Sequence, residues 1–124
     1  MATPAEVMET YYETYGTGDY ATVPFSEDVV FESVLGKEEG RENVVNHLTV
    51  AHGGGAVKEK LIPQNMVFDG DRVAVEVVAE LSFEVDIPDF PFGDAKAGET
   101  IAVRFGAFYE IKDDAIARVS VYRF

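Results

Sequence analysis

The sequence predicts one α+β domain, a cone-shaped, half-open barrel in which a curved antiparallel sheet wraps around N-terminal helices. Three features predict it. Val7, Tyr11 and Tyr15 recur at helical spacing near the start of the chain. Residues 72–86 and 99–111 each alternate apolar and polar side chains at period two, the signature of strands with one covered face. The N-terminal helices are the only segments able to cover that face, and a bent sheet closing on a long helix leaves a cavity. At 124 residues with 47% apolar content, the chain fits a single domain, residues 1–124, with a real core.

The elements follow in order. Thr3, Pro4 and Glu6 form a capping box with a proline start, and the stripe of Val7, Met8, Tyr11, Tyr12 and Tyr15 runs to Gly16-Thr17-Gly18. Asp19 caps a short second helix that Pro24 ends. Residues 28–35 read as a strand. Residues 40–51 read as a third helix with Val44, Val45, Leu48 and Ala51 on one face, stopped by Gly53-Gly54-Gly55. Residues 57–68 form a strand in which Pro63 demands a bulge or an edge. Asp69-Gly70-Asp71 makes a hairpin turn. In the next strand the odd residues from Val73 to Val85 face the core, and Glu76, Glu80 and Glu84 face outward, in reach of Arg104 and Arg118. Ile101, Val103, Phe105, Ala107, Tyr109 and Ile111 share the inner face of the following strand. A turn at Asp113-Asp114 leads into the last strand, 116–124.

Composition narrows the function classes. The net charge of −13 repels nucleic acid and anionic lipid, and no basic stripe offsets it. The acidity reads equally as a solubility device or as an adaptation to high salt. With no cysteine, disulfides and thiolate chemistry are absent. No apolar run is long enough to span a bilayer, and residues 1–6 lack the pattern of a signal peptide, so a cytoplasmic location is expected.

Several segments in this order resemble one family. Gly18-Asp19, Phe25, Asp28-Val29-Val30-Phe31-Glu32, Gly36 and Gly40-Arg41-Glu42-Asn43-Val44-Val45 resemble the front half of SnoaL-like proteins and ketosteroid isomerases of the nuclear transport factor 2-like superfamily. The stretch Phe68-Asp69-Gly70-Asp71-Arg72-Val73-Ala74-Val75 resembles their central hairpin, and residues 116–123 their last strand. The resemblance implies the cone fold, an internal pocket and a homodimer through the outer sheet face. It also implies chemistry that this chain only partly carries. Where the isomerases place a general-base aspartate and a protonated oxyanion-binding aspartate, this chain has Ser33 and Ala107, while Tyr11 matches their oxyanion tyrosine. Where limonene epoxide hydrolases place an aspartate on the last strand, this chain has Val121, and Arg104 faces away from the pocket by alternation.

The candidate site residues follow from these faces. Pocket walls are expected at Val75, Val77, Ala79, Leu81, Val103, Phe105, Tyr109 and Val119, with Tyr11, Tyr15 and Ser33 as polar points. A mostly apolar cavity of this kind suits a small hydrophobic molecule. Tyr11, Ser33 and His52 are the catalytic candidates. Each has a plainer reading: core tyrosines, a small polar strand residue, and a histidine favoured at a helix C-terminus by the dipole. His47 flanks the apolar face of the third helix, and a Ser–His nucleophile would need one of the two imidazoles beside Ser33. No metal-binding histidine spacing occurs, and no metal or cofactor is expected. No carboxylate points clearly inward. The segment Ile87-Pro88-Asp89-Phe90-Pro91-Phe92-Gly93 offers a lid or a contact for a second subunit. Two functions stay open: an isomerase, cyclase or hydrolase acting on a small hydrophobic molecule, and a non-catalytic binding or dimerising module.

Overall fold

The computed structural model describes residues 2–90 and 94–123. Pro91, Phe92 and Gly93 of the proline-rich segment lie outside the described residues. Helix α1 spans Pro4–Tyr15, α2 Arg41–Ala51, and six strands span β1 Phe25–Ser33, β2 Gly36–Glu39, β3 Val57–Asp69, β4 Arg72–Phe83, β5 Thr100–Lys112 and β6 Ala115–Arg123. The strands form one sheet in the order β2-β1-β6-β5-β4-β3. The sheet is curved and unclosed, and its concave face holds α1 and α2.

Helix α1 starts where the sequence places it. The Thr3 hydroxyl accepts from the Glu6 amide, and the Glu6 carboxylate accepts from the Thr3 amide. The bond from the Thr3 amide, and after it the Thr3 side chain beside the carboxylate, holds the Glu6 carboxyl below its ordinary range. The helix buries Val7, Met8, Tyr11 and Tyr15 against the sheet. On β4 the expected inner face is buried at Val73, Val75, Val77, Ala79, Leu81 and Phe83, but Val85, past the end of the strand, is 48% exposed. On the outer face the carboxylates find partners on β3. Glu84 pairs with Lys58 at 3.4 Å and Glu76 accepts from Asn65 at 2.6 Å. Of the expected arginines, Arg118 approaches Glu32 at 3.5 Å, and Arg104 lies opposite Val78, diagonal to Glu76 and Glu80.

Four details depart from the sequence reading. The sheet is mixed, because β1 pairs in parallel with β6 while every other pair is antiparallel. No hairpin joins those two strands, so no turn forces them antiparallel. Residues 28–35 are not a single strand but part of a hairpin that turns at Val34-Leu35 into β2. Strand β4 ends at Phe83 rather than near residue 86. The second helix is a single 3-10 turn, Tyr20–Thr22.

Pro63 does both things a strand proline can do. It lies on an edge strand, and the register shifts between Pro63 and Asn65. The shift changes parity along β3. Before the bulge Val57, Glu59 and Leu61 oppose the inward residues Phe83, Leu81 and Ala79; after it, Met66 opposes inward Val75.

Candidate functional site

The site begins where α2 ends. His52 is the C-cap of that helix and its amide donates to the Leu48 carbonyl. Gly53, Gly54 and Gly55 then take φ of 62°, 66° and 109°. Such angles are open to glycine at little cost, and the chain reverses within one turn. The Val57 amide returns to the His52 carbonyl at 3.0 Å, so β3 starts directly beneath the histidine. Two residues later Glu59 points to the inner face, between Val57 and Leu61. Tyr15, at the end of α1, approaches from the other side.

The three side chains meet on one atom. Glu59 Oε1 accepts from the Tyr15 hydroxyl at 2.7 Å and lies 2.8 Å from His52 Nε2. His52 Nδ1 lies 2.6 Å from the Leu48 carbonyl oxygen. A carbonyl only accepts, so Nδ1 carries a proton. The contact between Nε2 and Glu59 then holds one further proton, on either the imidazole or the carboxyl. In both arrangements the pair is neutral as a unit. The two side chains are 9% and 12% exposed, which shields that bond from water. Glu59 Oε2 makes no hydrogen bond to the described residues.

Phenols surround this pair. The Tyr15 hydroxyl is pushed well above its ordinary pKa, first by burial and then by the nearby Glu59 charge. Burial likewise raises Tyr11, Tyr12, Tyr20 and Tyr109. All five are therefore neutral donors at physiological pH. The Tyr20 ring lies against His52 with centroids 5.0 Å apart, and its buried hydroxyl has no hydrogen-bond partner among the described residues.

A cavity of about 120 Å³ opens beside the triad. Tyr15, His52 and Glu59 form its polar end; Phe31, Leu81, Val103 and Phe105 form its apolar wall. Phe90 closes it from the loop after β4, packed edge-on against Phe83 at 4.9 Å. Val34 and Leu35, 62% and 48% exposed, form an apolar lip, with Arg104 and Arg123 also at the border.

The expected wall residues divide. Tyr15, Ser33, Leu81, Val103 and Phe105 line the cavity. Tyr11, Val75, Val77, Ala79, Tyr109 and Val119 are buried in the core and do not line it. The cavity sits toward one end of the cone, and the other end is filled by aromatic packing such as the Tyr11–Tyr109 contact at 5.1 Å. Arg104 borders the cavity although alternation turns it away. The Ser33 hydroxyl accepts from the Leu35 amide at 3.1 Å, and both ring nitrogens of His52 are engaged elsewhere, so Ser33 and His52 do not form a pair. His47 lines the cavity and lies 3.8 Å from Glu38. Among the described residues no group of three or more His, Asp or Glu is placed to hold a metal.

Glu59 is the candidate site residue that the sequence reading missed. Its signal was present: Val57 and Leu61 are apolar at period two, and a glutamate between them inherits the inward face. Pro63 obscured the parity of that strand.

The model of the SnoaL-like domain family matches residues 8–119. Among solved structures, a candidate polyketide cyclase from Xanthomonas campestris pv. campestris superimposes with a TM-score of 0.80 at 26% identity, over 98% of this chain and 90% of that one. A candidate polyketide cyclase from Pseudomonas putida KT2440 gives 0.76 at 25% identity, over 100% and 93%. An LEH-like epoxide hydrolase from M. tuberculosis gives 0.76 at 17% identity, over 98% and 82%, a likeness of fold alone. No curated protein sequence matches this chain.

Proposed function

Because this chain belongs to the SnoaL-like family, we propose that it is a proton-transfer enzyme of the isomerase or cyclase kind, acting on a small hydrophobic carbonyl compound. The observation that carries this reading is the His52–Glu59 pair sharing one proton at the wall of an apolar cavity. Glu59 Oε2 is the acceptor. It takes a proton from the carbon next to the carbonyl, and the electron pair of that C–H bond moves into the enolate. The same carboxyl returns the proton to a different carbon, so the reaction is balanced without a co-reactant. His52 and Tyr15 hold Oε1 and orient the carboxyl, and a hydrophobic wall excludes competing water. A cyclic ligand of this kind fits the similarity to structures described as polyketide cyclases.

Two further parts of the reading have support of their own. A homodimer through the outer sheet face is supported by Phe108 and Tyr122, 55% and 60% exposed there and packed on each other at 6.3 Å. A cytoplasmic setting agrees with a chain free of cysteine.

The test is deuterium uptake at the α-carbon of a panel of small cyclic ketones, followed by NMR in D2O. Uptake above the buffer rate that falls by about 10²–10⁴-fold in Glu59→Gln supports the reading. Ligand binding without uptake across the panel favours the alternative, a non-catalytic binding module.

A further inference from the structure

Helix α2 turns one face to the cavity, and that face carries both histidines of the chain. His47, Leu48, Ala51 and His52 line it, the spacing of neighbouring turns on one side of a helix. The two imidazoles are five residues apart, about 7.5 Å along the axis at a rise of about 1.5 Å per residue. At the inner end the ring nitrogens of His52 are engaged by Glu59 and the Leu48 carbonyl. His47 stands on the side of the lip, its side chain 19% exposed against 9% for His52.

The hairpin of β1 and β2 holds His47 from the other side. Phe31 and Glu38 are paired directly across it, so both side chains leave the same face of the sheet. The imidazole packs on the Phe31 ring with centroids 6.2 Å apart, and its Nδ1 lies 3.8 Å from Glu38 Oε1. That is an ion-pair distance, too long for a hydrogen bond. The other ring nitrogen, Nε2, makes no hydrogen bond to the described residues. In the imidazolium form both nitrogens carry protons, so Nε2 has one to donate while Glu38 balances the charge.

Proton removal by Glu59 creates a need at the far end of the same ligand. As Oε2 takes the proton, the electron pair of the C–H bond forms a C=C bond and the carbonyl π pair moves onto oxygen. An oxyanion in a mostly apolar cavity is stabilised by a donor placed there in advance. The group of Tyr15, His52 and Glu59 does not supply one, because its protons are held between its own members and the Leu48 carbonyl. Arg104 and Arg123 at the border have partners of their own.

We propose that His47 is that donor: its Nε2–H binds the carbonyl oxygen of the ligand and stabilises the enolate, with Glu38 behind it as counter-charge. This rests on the reading of Glu59 as proton acceptor and adds the orientation of the substrate. The carbonyl lies toward the lip and the proton-losing carbon toward Glu59. The proton stays on the nitrogen throughout, so the reaction remains balanced. A cavity of about 120 Å³, close to the roughly 150 Å³ of one that takes up benzene, limits the ligand to a single ring, a small cyclic ketone or enone.

The probe is 4-nitrophenol, a single ring whose phenolate oxygen imitates the enolate and whose colour reports ionisation. The unaltered protein is expected to bind the phenolate about tenfold more tightly than the phenol, a factor that one hydrogen bond to a charged group supplies. In His47→Leu the preference falls to within about twofold. In Glu38→Gln, which keeps the imidazole, it persists; an ion pair with a merely structural role would make the two variants alike. In the unaltered protein, binding is expected to shift the ring ¹⁵N resonances of His47 and to leave those of His52 in place. That measurement needs no variant, so the inference stays open to refutation if His47→Leu misfolds. An equal preference with and without His47, the same loss in Glu38→Gln or Ser33→Ala, an unmoved His47 ring, or no binding of the probe at millimolar concentration each overturns it. In the deuterium-uptake assay His47→Leu is expected to lower the rate by about 10²–10³-fold, the effect of removing one oxyanion donor. A phenolate preference that depends on His47, with no uptake that depends on Glu59, refutes the proton-transfer reading alone. Uptake that depends on Glu59 and is unchanged in His47→Leu refutes the role of His47 alone.

Discussion

Glu59→Gln is the substitution that tests the site most directly, because the change is nearly isosteric and its effect can be worked out atom by atom. In the unaltered protein Oε1 serves both Tyr15 and His52, at 2.7 and 2.8 Å. An amide cannot do this. If its oxygen takes the place of Oε1, it accepts from Tyr15 but meets the lone pair of His52 Nε2, since the Nδ1 proton is fixed on the Leu48 carbonyl. If its nitrogen takes that place, it donates to Nε2 and leaves the Tyr15 proton without an acceptor. One bond is lost in either case, unless His52 becomes a buried cation with no counter-charge. A buried hydrogen bond to a charged group contributes about 1.5–3 kcal/mol, and its orphaned partner adds a desolvation cost, so a net loss of about 2–3 kcal/mol is expected. For a domain of this size that lowers Tm by roughly 8–12 °C.

The assay is thermal denaturation at pH 7, followed by circular dichroism, on Glu59→Gln, His52→Gln and the double variant. Side chains that share a proton are coupled, so the double variant is expected to lose less than the sum of the singles, by at least about 1 kcal/mol. Additivity to within about 0.5 kcal/mol would show that the two groups act independently. The shared proton, and with it the mechanism built on Oε2, would then be wrong.

Two other outcomes follow from burial. Ala107 is 2% exposed and lies opposite Val75 and Val121, so Ala107→Asp buries an unpaired acid and is expected to cost several kcal/mol, read as a large fall in Tm; an unchanged Tm would put position 107 on the surface. At alkaline pH, Tyr11, Tyr12, Tyr15, Tyr20 and Tyr109 hold their protons above the ordinary tyrosine pKa of about 10. Folded pKa values that are raised mean stability fully present below pH ~10 and lost as pH climbs beyond it, because the unfolded chain gives up those protons first. Absorbance near 295 nm, as a rough marker of tyrosinate, is expected to show these five ionising together with unfolding; smooth ionisation in a still-folded protein would contradict their burial.

Most of the fold could be read from local chemistry. The capping box, the apolar stripe of α1 and the alternation of β4 and β5 each depend on residues a few positions apart, and all three appear as read. What escaped depends on tertiary pairing. The turn at Val34-Leu35 lacks turn-forming residues, and only Gly36, with φ of 125°, marks it. The parallel pairing of β1 with β6 joins distant parts of the chain and leaves no local trace. The bulge after Pro63 is legible as a bulge, but it breaks the parity of β3, and that break hides Glu59 as an inward carboxylate. His52 shows a third case. It is a helix-terminal histidine, as the plain reading held, and its ring still reaches Glu59. The two readings were never exclusive.

The resemblance places the acids of such a site at positions 33, 107 and 121, and those positions hold Ser, Ala and Val here. The chemistry does not require a particular strand. It requires a carboxylate at the cavity wall, donors that fix its geometry, and shelter from water. A cone of six strands has many inward positions, and any of them can supply the first requirement. Few can supply the second. Position 59 does so because the three glycines fold β3 back under the end of α2, which brings a histidine seven residues away onto the same oxygen as Tyr15. The pair is assembled by a short chain reversal rather than by long-range alignment of the sheet, so it can arise in this fold without the residues its relatives use. Similarity of fold therefore limits where a ligand sits more strongly than it limits which residue acts on it.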